Sequence, residues 1–445
     1  MTVHVTLHTS GPRNVVQVAD AESILQNFQA TLARYTTDDG SALVDKLDLS
    51  GRAWPLSSLQ VLEAFFEAHV VDTVRVLKID DIIASLPTVD GLASLRWFAR
   101  VFQHAPVAVL NLNDNALGTR GMAEIRPLLS NPHIRHLALD NVGISEAVVA
   151  TLATILSHSS GDDPDTPGPL QLQSLSLGRN QIGIEGARSV GELLALCPHL
   201  ESFSYASSRP QLAGTLALVQ GLEKSEVTSL RYLNFEDCVF RGGDGEDPTQ
   251  VLKTVLCRSP KLHTLLLPDC ELGPAGLLLV ILGIRYAKPP LTVLDLSANN
   301  AGPGGTYALG ELLEYTDAPQ TLQSLAFDNN EVETADVLNC VLRPVIRSPR
   351  VALRELRLEG NELEGLALQL LIDNPIPSLR ALHLEENMDI GRQRAQRLQA
   401  LYQTMGCVVY VDENLEIDEN DDHDEEQKDD DAVDALVDSV KGLAV

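Results

Sequence analysis

One phrase returns down the chain: an apolar residue, a spacer, a second apolar residue, two more residues, then Asn. It stands as Leu110-Leu112-Asn115, Leu175-Leu177-Asn180, Leu294-Leu296-Asn299, Leu325-Phe327-Asn330, Leu356-Leu358-Asn361 and Leu382-Leu384-Asn387. Weaker copies are Leu47-Leu49-Arg52, Leu77-Ile79-Ile82, Leu137-Leu139-Val142, Phe203-Tyr205-Ser208, Leu233-Phe235-Cys238 and Leu265-Leu267-Cys270, which makes twelve units. Apolar residues two apart point to one face of an extended segment, so each phrase predicts a short strand with one buried side. The Asn that follows can turn its carboxamide inward and pair backbone groups that a turn leaves unsatisfied. Counted on the second apolar position, the units are 26 to 33 residues apart, with one interval of 38. Such a period predicts a solenoid, in which each unit buries its apolar face only against its neighbours.

The phrase resembles the leucine-rich repeat, and spacings near 28 resemble its long ribonuclease-inhibitor subtype. Between strands lie patterns such as Gly186–Leu196, apolar at three- and four-residue intervals and therefore helical. Helices are wider than strands, so the expected fold is an α/β horseshoe with a parallel inner sheet and outer helices. Residues 1–40 are expected to cap the first turn, with a strand near Val3–Leu7 and a helix from Ala21 to Arg34 behind an Asp20 N-cap. Residues 41–411 form the repeat domain, closed by a strand at Cys407–Val411. Ser157–Leu170 and Arg241–Pro248 read as inserted surface loops. Residues 412–445 read as an acidic tail, ending in Val433, Leu436, Val437, Val440 and Leu443 at helical spacing.

Charge narrows the choice of partner. The chain carries 62 carboxylates against 33 Lys and Arg, a formal −29. The stretch 412–434 holds 14 of those carboxylates and one Lys, leaving about −16 elsewhere. Nucleic acid, which needs a cationic surface, is excluded as a partner, and a protein with a basic face is favoured. No apolar run reaches the ~18 residues of a membrane span, and the N-terminus lacks the form of a signal peptide. The six Cys show no paired C-x-x-C spacing and read as small packing residues. A cytosolic or nuclear protein is expected.

No catalytic or phosphate-binding signature is found. Gly302–Gly305 and Gly242-Gly243 lack a following Lys-Ser/Thr, and neither a G-x-S-x-G elbow nor an H-E-x-x-H pair occurs. The eleven His are scattered, and no cofactor or metal is implied. The informative positions are those immediately before the ladder residue, on the rim between strand and ascending loop, where binding residues of rigid scaffolds tend to sit. They read Asp81, Asp114, Asn141, Arg179, Ser207, Asp237, Asp269, Ala298, Asn329, Gly360 and Glu386. Asn141 stands out because Val142 occupies its ladder position, which leaves its amide without an evident structural duty. Outward strand positions such as Asn111, Ala138, Ser176 and Ser204 are small or polar and offer no aromatic anchor.

Several phrases together are more specific than the repeat itself. LNLNDNALGTRG (110–121), LALDNVGIS (137–145), SLGRNQIGIEGA (176–187), CPHLESFSYASSR (197–209), LNFEDC (233–238) and LDLSANNAG (294–302) closely resemble Ran GTPase-activating proteins, the plant-like branch especially. The likeness runs in register over roughly residues 40–390 and includes the acidic tail. It implies a regulator without a catalytic centre of its own, which activates GTP hydrolysis on a Ran-type small GTPase in its GTP form. The N-terminal half of the crescent would cup the switch regions, with Asn141 and Arg179 as functional rim residues beside Asp114 and Asp81. It further implies a Ran-binding protein as a second partner and a cytoplasmic protein, gathered around the nucleus or at its envelope and partly nuclear.

The second unit departs from that family. Its Gly-Arg pair corresponds here to Ser85 and Leu86, within Asp81-Ile-Ile-Ala-Ser-Leu-Pro87. A Leu neither donates a hydrogen bond nor carries charge. Three readings stay open: Arg75, Arg96 or Arg120 supplies the cation, the chain binds Ran without activating it well, or the partner has changed. The competing class is a non-catalytic interaction scaffold of ribonuclease-inhibitor type. A third is an acidic chaperone working through residues 412–434, whose binding would vanish on truncation before Asp412.

Overall fold

The computed structural model describes residues 3–36, 42–158, 169–241, 247–387 and 390–412. Among them are fourteen strands: β1 (Val3–His8), β2 (Ala42–Asp48), β3 (Val76–Lys78), β4 (Val109–Asn111), β5 (His136–Ala138), β6 (Ser174–Ser176), β7 (Ser202–Ser204), β8 (Tyr232–Asn234), β9 (Thr264–Leu266), β10 (Val293–Asp295), β11 (Ser324–Ala326), β12 (Glu355–Arg357), β13 (Ala381–His383) and β14 (Val408–Tyr410). They form one parallel sheet whose spatial order is the sequence order, with helical segments between successive strands. This is the leucine-rich-repeat solenoid expected from the twelve phrases, which supply β2 to β13. In β3 to β13 the first apolar residue of each phrase sits at the strand centre and is buried, Leu110 and Leu137 for example, and the two flanking strand residues are more exposed.

The strand register carries each apolar position onto its counterpart, Leu77 to Leu110 to Leu137 to Leu175. These side chains, with the inner faces of the helices, make one continuous core. Aromatics are concentrated at the N-terminal end of it. Phe28, Phe65, Phe66, Trp97, Phe98 and Phe102 pack ring against ring at centroid separations of 5.1 to 6.4 Å. Elsewhere Leu dominates.

Asn residues do the structural work foreseen for them. Asn115 Nδ2 donates to Ile79 O at 2.7 Å and to Leu112 O at 2.8 Å, while its Oδ1 accepts from the N–H of Ile82 and Ile83. Asn180 repeats the pattern between Leu139 O, Leu177 O, Val142 N and Ile144 N. One carboxamide thus ties its own turn to the preceding one, which explains how Ile82 and Val142 can be apolar. Cys270 gives only thiol contacts, Sγ to Phe235 O at 3.1 Å and to Pro268 O at 3.4 Å.

The first helix, Val18–Tyr35, begins earlier than expected. Gln17 is the N-cap, and Asp20 acts one turn inside it by accepting from Gln17 N at 3.0 Å. The proposed inserted loops fall largely on residues 159–168 and 242–246, and the acidic run with its apolar stripe on 413–445, all outside the described residues. Among the described residues no helix is long and apolar enough to cross a membrane.

Candidate functional site

The turn that ends each strand imposes one backbone shape on the rim. The residue before the ladder position has a positive φ in every unit, from Gly51 at 79° through Asp81 at 52°, Asp114 at 58°, Asn141 at 54° and Arg179 at 55° to Glu386 at 56°. Gly, Asn and Asp accept this left-handed region readily, and other L-residues pay roughly 1–2 kcal/mol there. Conformation alone therefore accounts for Asp81, Asp114 and Asn141. It does not account for Arg179, which holds a long cationic side chain at a strained position, nor for Ser207, Ala298 and Glu386 at the same place in other units. Strain of this kind points towards function when something else gains by it.

Three of the four rim residues singled out in the sequence meet. Asn141 Nδ2 donates to Asp114 Oδ1 at 2.9 Å, and Arg179 Nη2 lies 3.5 Å from the same oxygen. Asp114, Asn141 and Arg179 come from consecutive units, so the rim of units three to five is drawn onto one carboxylate. The expectation that the Asn141 amide lacks a structural duty is corrected by this bond. Asn141 and Arg179 remain exposed. Beneath them Asp140 Oδ1 accepts from Ser176 Oγ and from Gly178 N, both at 2.6 Å, fixing the turn that presents Arg179. A Cβ on Gly178 would approach Ala206 O and that Asp140 oxygen at 3.1 Å, a tight fit that favours glycine in the phrase.

Asp81 stands apart from this group. Arg13 grips it, with Nε 2.6 Å from Oδ2 and Nη2 donating to Oδ1 at 2.7 Å. This cation comes from the segment after β1, and sequence reasoning missed it because the partners are 68 residues apart.

Ser85 is exposed and Leu86 half-buried, and Leu86 packs against the core. With Ile83, Leu92 and Leu117 it lines a depression of about 520 Å³ between the loops of units two and three. Arg120 lines the same depression and has neither an ion pair nor a side-chain hydrogen bond among the described residues. The other two cations offered by the sequence lie elsewhere. Arg96 is held by Glu124 at 2.6 and 2.8 Å across two outer helices, and Arg75 precedes β3, at the end opposite the rim.

Cys197, Cys238 and Cys270 are buried, and burial pushes the Cys197 thiol up to about 12 and the other two upwards as well. They are poor nucleophiles. What the rim offers is hydrogen-bond donors, the cations Arg179 and Arg120, and a shaped hollow of mixed polar and apolar lining.

Comparison with known proteins gives a consistent, coarse picture. The Leucine Rich repeat family model matches residues 171–191, the unit that contains Arg179 and Asn180. Human NACHT, LRR and PYD domains-containing protein 12 is 26% identical over 355 residues, covering 67% of this chain and 32% of that protein. Its mouse counterpart is 27% identical over 332 residues, covering 72% and 29%. RAN GTPase-activating protein 2 of Arabidopsis thaliana is 26% identical over 123 residues, covering 28% of this chain and 21% of its own length. The chain thus spans a third or less of each of these relatives. Among solved structures, an internalin (InlF) of Listeria monocytogenes matches 90% of this chain and 95% of its own at a TM-score of 0.43 and 15% identity.

Proposed function

We propose that this leucine-rich-repeat chain docks a Ran-type small GTPase in its GTP form against the rim of units two to five and promotes GTP hydrolysis there. The observation that carries the reading is the meeting of Asp114, Asn141 and Arg179 on one exposed spot. The likeness to RAN GTPase-activating protein 2 supports it. The rim has no nucleophile to contribute. In such a system water attacks the γ-phosphate in the GTPase's own pocket, positioned by the GTPase's own Gln. Asn141 has the reach and chemistry to hydrogen-bond that Gln, and Arg179 to offset charge that develops beside it. Asp114 holds the Asn141 amide in place before docking, which reduces the ordering cost of binding, and Arg179 lies alongside the same carboxylate. With Leu86 in place of a cation, Arg120 is the nearest free positive charge in that loop pair. A Ran-binding protein as a further contact, and a location around the nucleus, follow from the same reading.

A second reading is a protein-binding scaffold with a different partner. The replacement of the cation by Leu86, on the wall of a hollow of mixed polar and apolar lining, favours it. It is also consistent with the longer alignment to NACHT, LRR and PYD domains-containing protein 12.

Single-turnover GTP hydrolysis by Ran, with and without this protein, separates the two. The first reading predicts acceleration that falls at least about tenfold in Asn141→Ala or Arg179→Ala, roughly 1.4 kcal/mol of lost transition-state binding. Acceleration untouched by both variants would discard the site assignment. No acceleration and no Ran binding would leave the scaffold reading.

A further inference from the structure

The concave face of the last three strands differs chemically from the rest of the sheet. Glu355 and Arg357 project from β12, His383 from β13 and Tyr410 from β14, with Glu359 and Glu385 just beyond β12 and β13. The register sets Arg357 beside His383 and His383 beside Tyr410. Tyr410 stacks on the imidazole at a centroid distance of 4.3 Å and an interplanar angle of 11°, which fixes the ring plane.

Both ring nitrogens then face carboxylates. Nδ1 lies 3.1 Å from Glu359 Oε1 and 3.7 Å from Glu385 Oε2, and Nε2 lies 3.7 Å from Glu355 Oε1. A proton on Nδ1 can be given to only one of the two oxygens in front of it. A metal ion serves both. One ligand atom each from Glu359, His383 and Glu385 can be chosen so that all three lie within 4.8 Å of one another. Bonds of about 2.0–2.1 Å in a tetrahedral zinc site place neighbouring ligand atoms roughly 3.3 Å apart, and the observed 3.1 and 3.7 Å bracket that edge. Glu355 Oε1, 3.7 Å from Nε2, stands on the side where a metal-bound imidazole commonly has its orienting carboxylate.

We propose that Glu359, His383 and Glu385 bind one divalent ion of the zinc class, with water completing the coordination. An imidazole with two carboxylates suits zinc or its first-row neighbours better than calcium or magnesium, which prefer oxygen alone. The ion ties β12 to β13 beneath Tyr410 and clamps the C-terminal end of the solenoid. Arg357 is the internal competitor, because its Nη2 lies 3.0 Å from Glu359 Oε1. No local spacing announces the site, since its donors come from successive repeats.

The test uses the full chain and Co²⁺ as a spectroscopic stand-in for Zn²⁺. The carboxylates of residues 412–434 will add weak background binding, so each result is read as a difference from the parent protein. One equivalent should give the visible absorption of a four-coordinate site. His383→Phe, which keeps a ring against Tyr410, should abolish it, and so should Glu385→Gln, the variant to use if the first fails to fold. Glu355→Gln should weaken binding about tenfold, and Arg357→Gln should tighten it. No such band in the parent, or an identical band and affinity in both His383→Phe and Glu385→Gln, overturns the proposal.

Discussion

The early and late parts of the ladder solve the same backbone problem with different margins. From unit nine onward Asn299, Asn330, Asn361 and Asn387 follow one another without a break. Their bonds overlap: Leu296 O accepts from both Asn299 and Asn330, and Leu358 O from both Asn361 and Asn387. In units two to five only every second ladder position is Asn. Asn115 is there the sole side-chain partner of Ile79 O, Leu112 O, Ile82 N and Ile83 N. The late stack is redundant, and at unit three the early stack hangs on Asn115 alone.

The largest effect expected from this contrast is on stability. Asn115→Ala orphans four buried backbone groups, at about 1–3 kcal/mol for each that water cannot reach, so a total near 4 kcal/mol is expected. Asn330→Ala orphans Asn299 N and Ala301 N, but Leu296 O keeps Asn299 as a donor. Its cost should be smaller by about 1 kcal/mol or more. Urea unfolding of the two variants decides the matter. Equal costs, or a larger one for Asn330→Ala, would break the redundancy argument.

A smaller effect of opposite sign should appear on the rim. Arg179 and Ala298 both occupy the left-handed position with side chains that disfavour it. Asn is at home there, so Arg179→Asn and Ala298→Asn should each raise stability by about 0.5–1 kcal/mol. The exposed contact of Arg179 with Asp114 adds little to set against that gain. If Arg179 is retained for its action on a GTPase, its substitution alone should stabilise the fold while slowing Ran-dependent hydrolysis. Ala298→Asn should stabilise and leave hydrolysis alone. Equal activity in both would make Arg179 a tolerated accident of the rim.

The fold was legible because the core period survives every substitution within it. Phe203, Phe235 and Phe327 stand where Leu usually does and are still fully buried. Cys238 and Cys270 keep the volume of the ladder position while losing most of its hydrogen bonding. The rim was legible as positions but not as contacts. The phrase gives the place of Asn141, and only the stacking of units shows that Asp114 occupies its amide. Arg13 on Asp81 and the charged group around His383 were invisible for the same reason, since each joins residues far apart in sequence. The conformational cause of the rim's Asn and Asp content was also hidden, because a shared backbone angle leaves no trace in any single repeat.

The smallest effect contrasts one repeat position in the two regions, the residue after the second apolar one. In the late stack Asp328 accepts from Arg357 Nε at 2.9 Å and from Glu359 N at 2.8 Å. In the early stack Asp80 accepts from Ser50 Oγ at 2.7 Å, and its other oxygen is buried without a partner. Burial raises the Asp80 carboxyl above its ordinary value, and the charges of Asp48 and Asp114 add to this against Ser50 and Lys78. A raised carboxyl means that the folded state holds its proton to higher pH than the unfolded chain does. Stability contributed by this group is therefore present below the unfolded value and is lost as pH rises through the folded one. At neutral pH the ionised Asp80 carries its full penalty. Asp80→Asn keeps an acceptor for Ser50 and removes the charge, so it should gain under about 1 kcal/mol at pH 7 and flatten the acid side of the stability profile. Asp328→Asn should lose stability at pH 7, because it strips Arg357 of its closest carboxylate. Unfolding midpoints of both variants between mildly acidic and neutral pH read the difference, and matching signs would mean that this position is electrostatically the same in both halves of the stack.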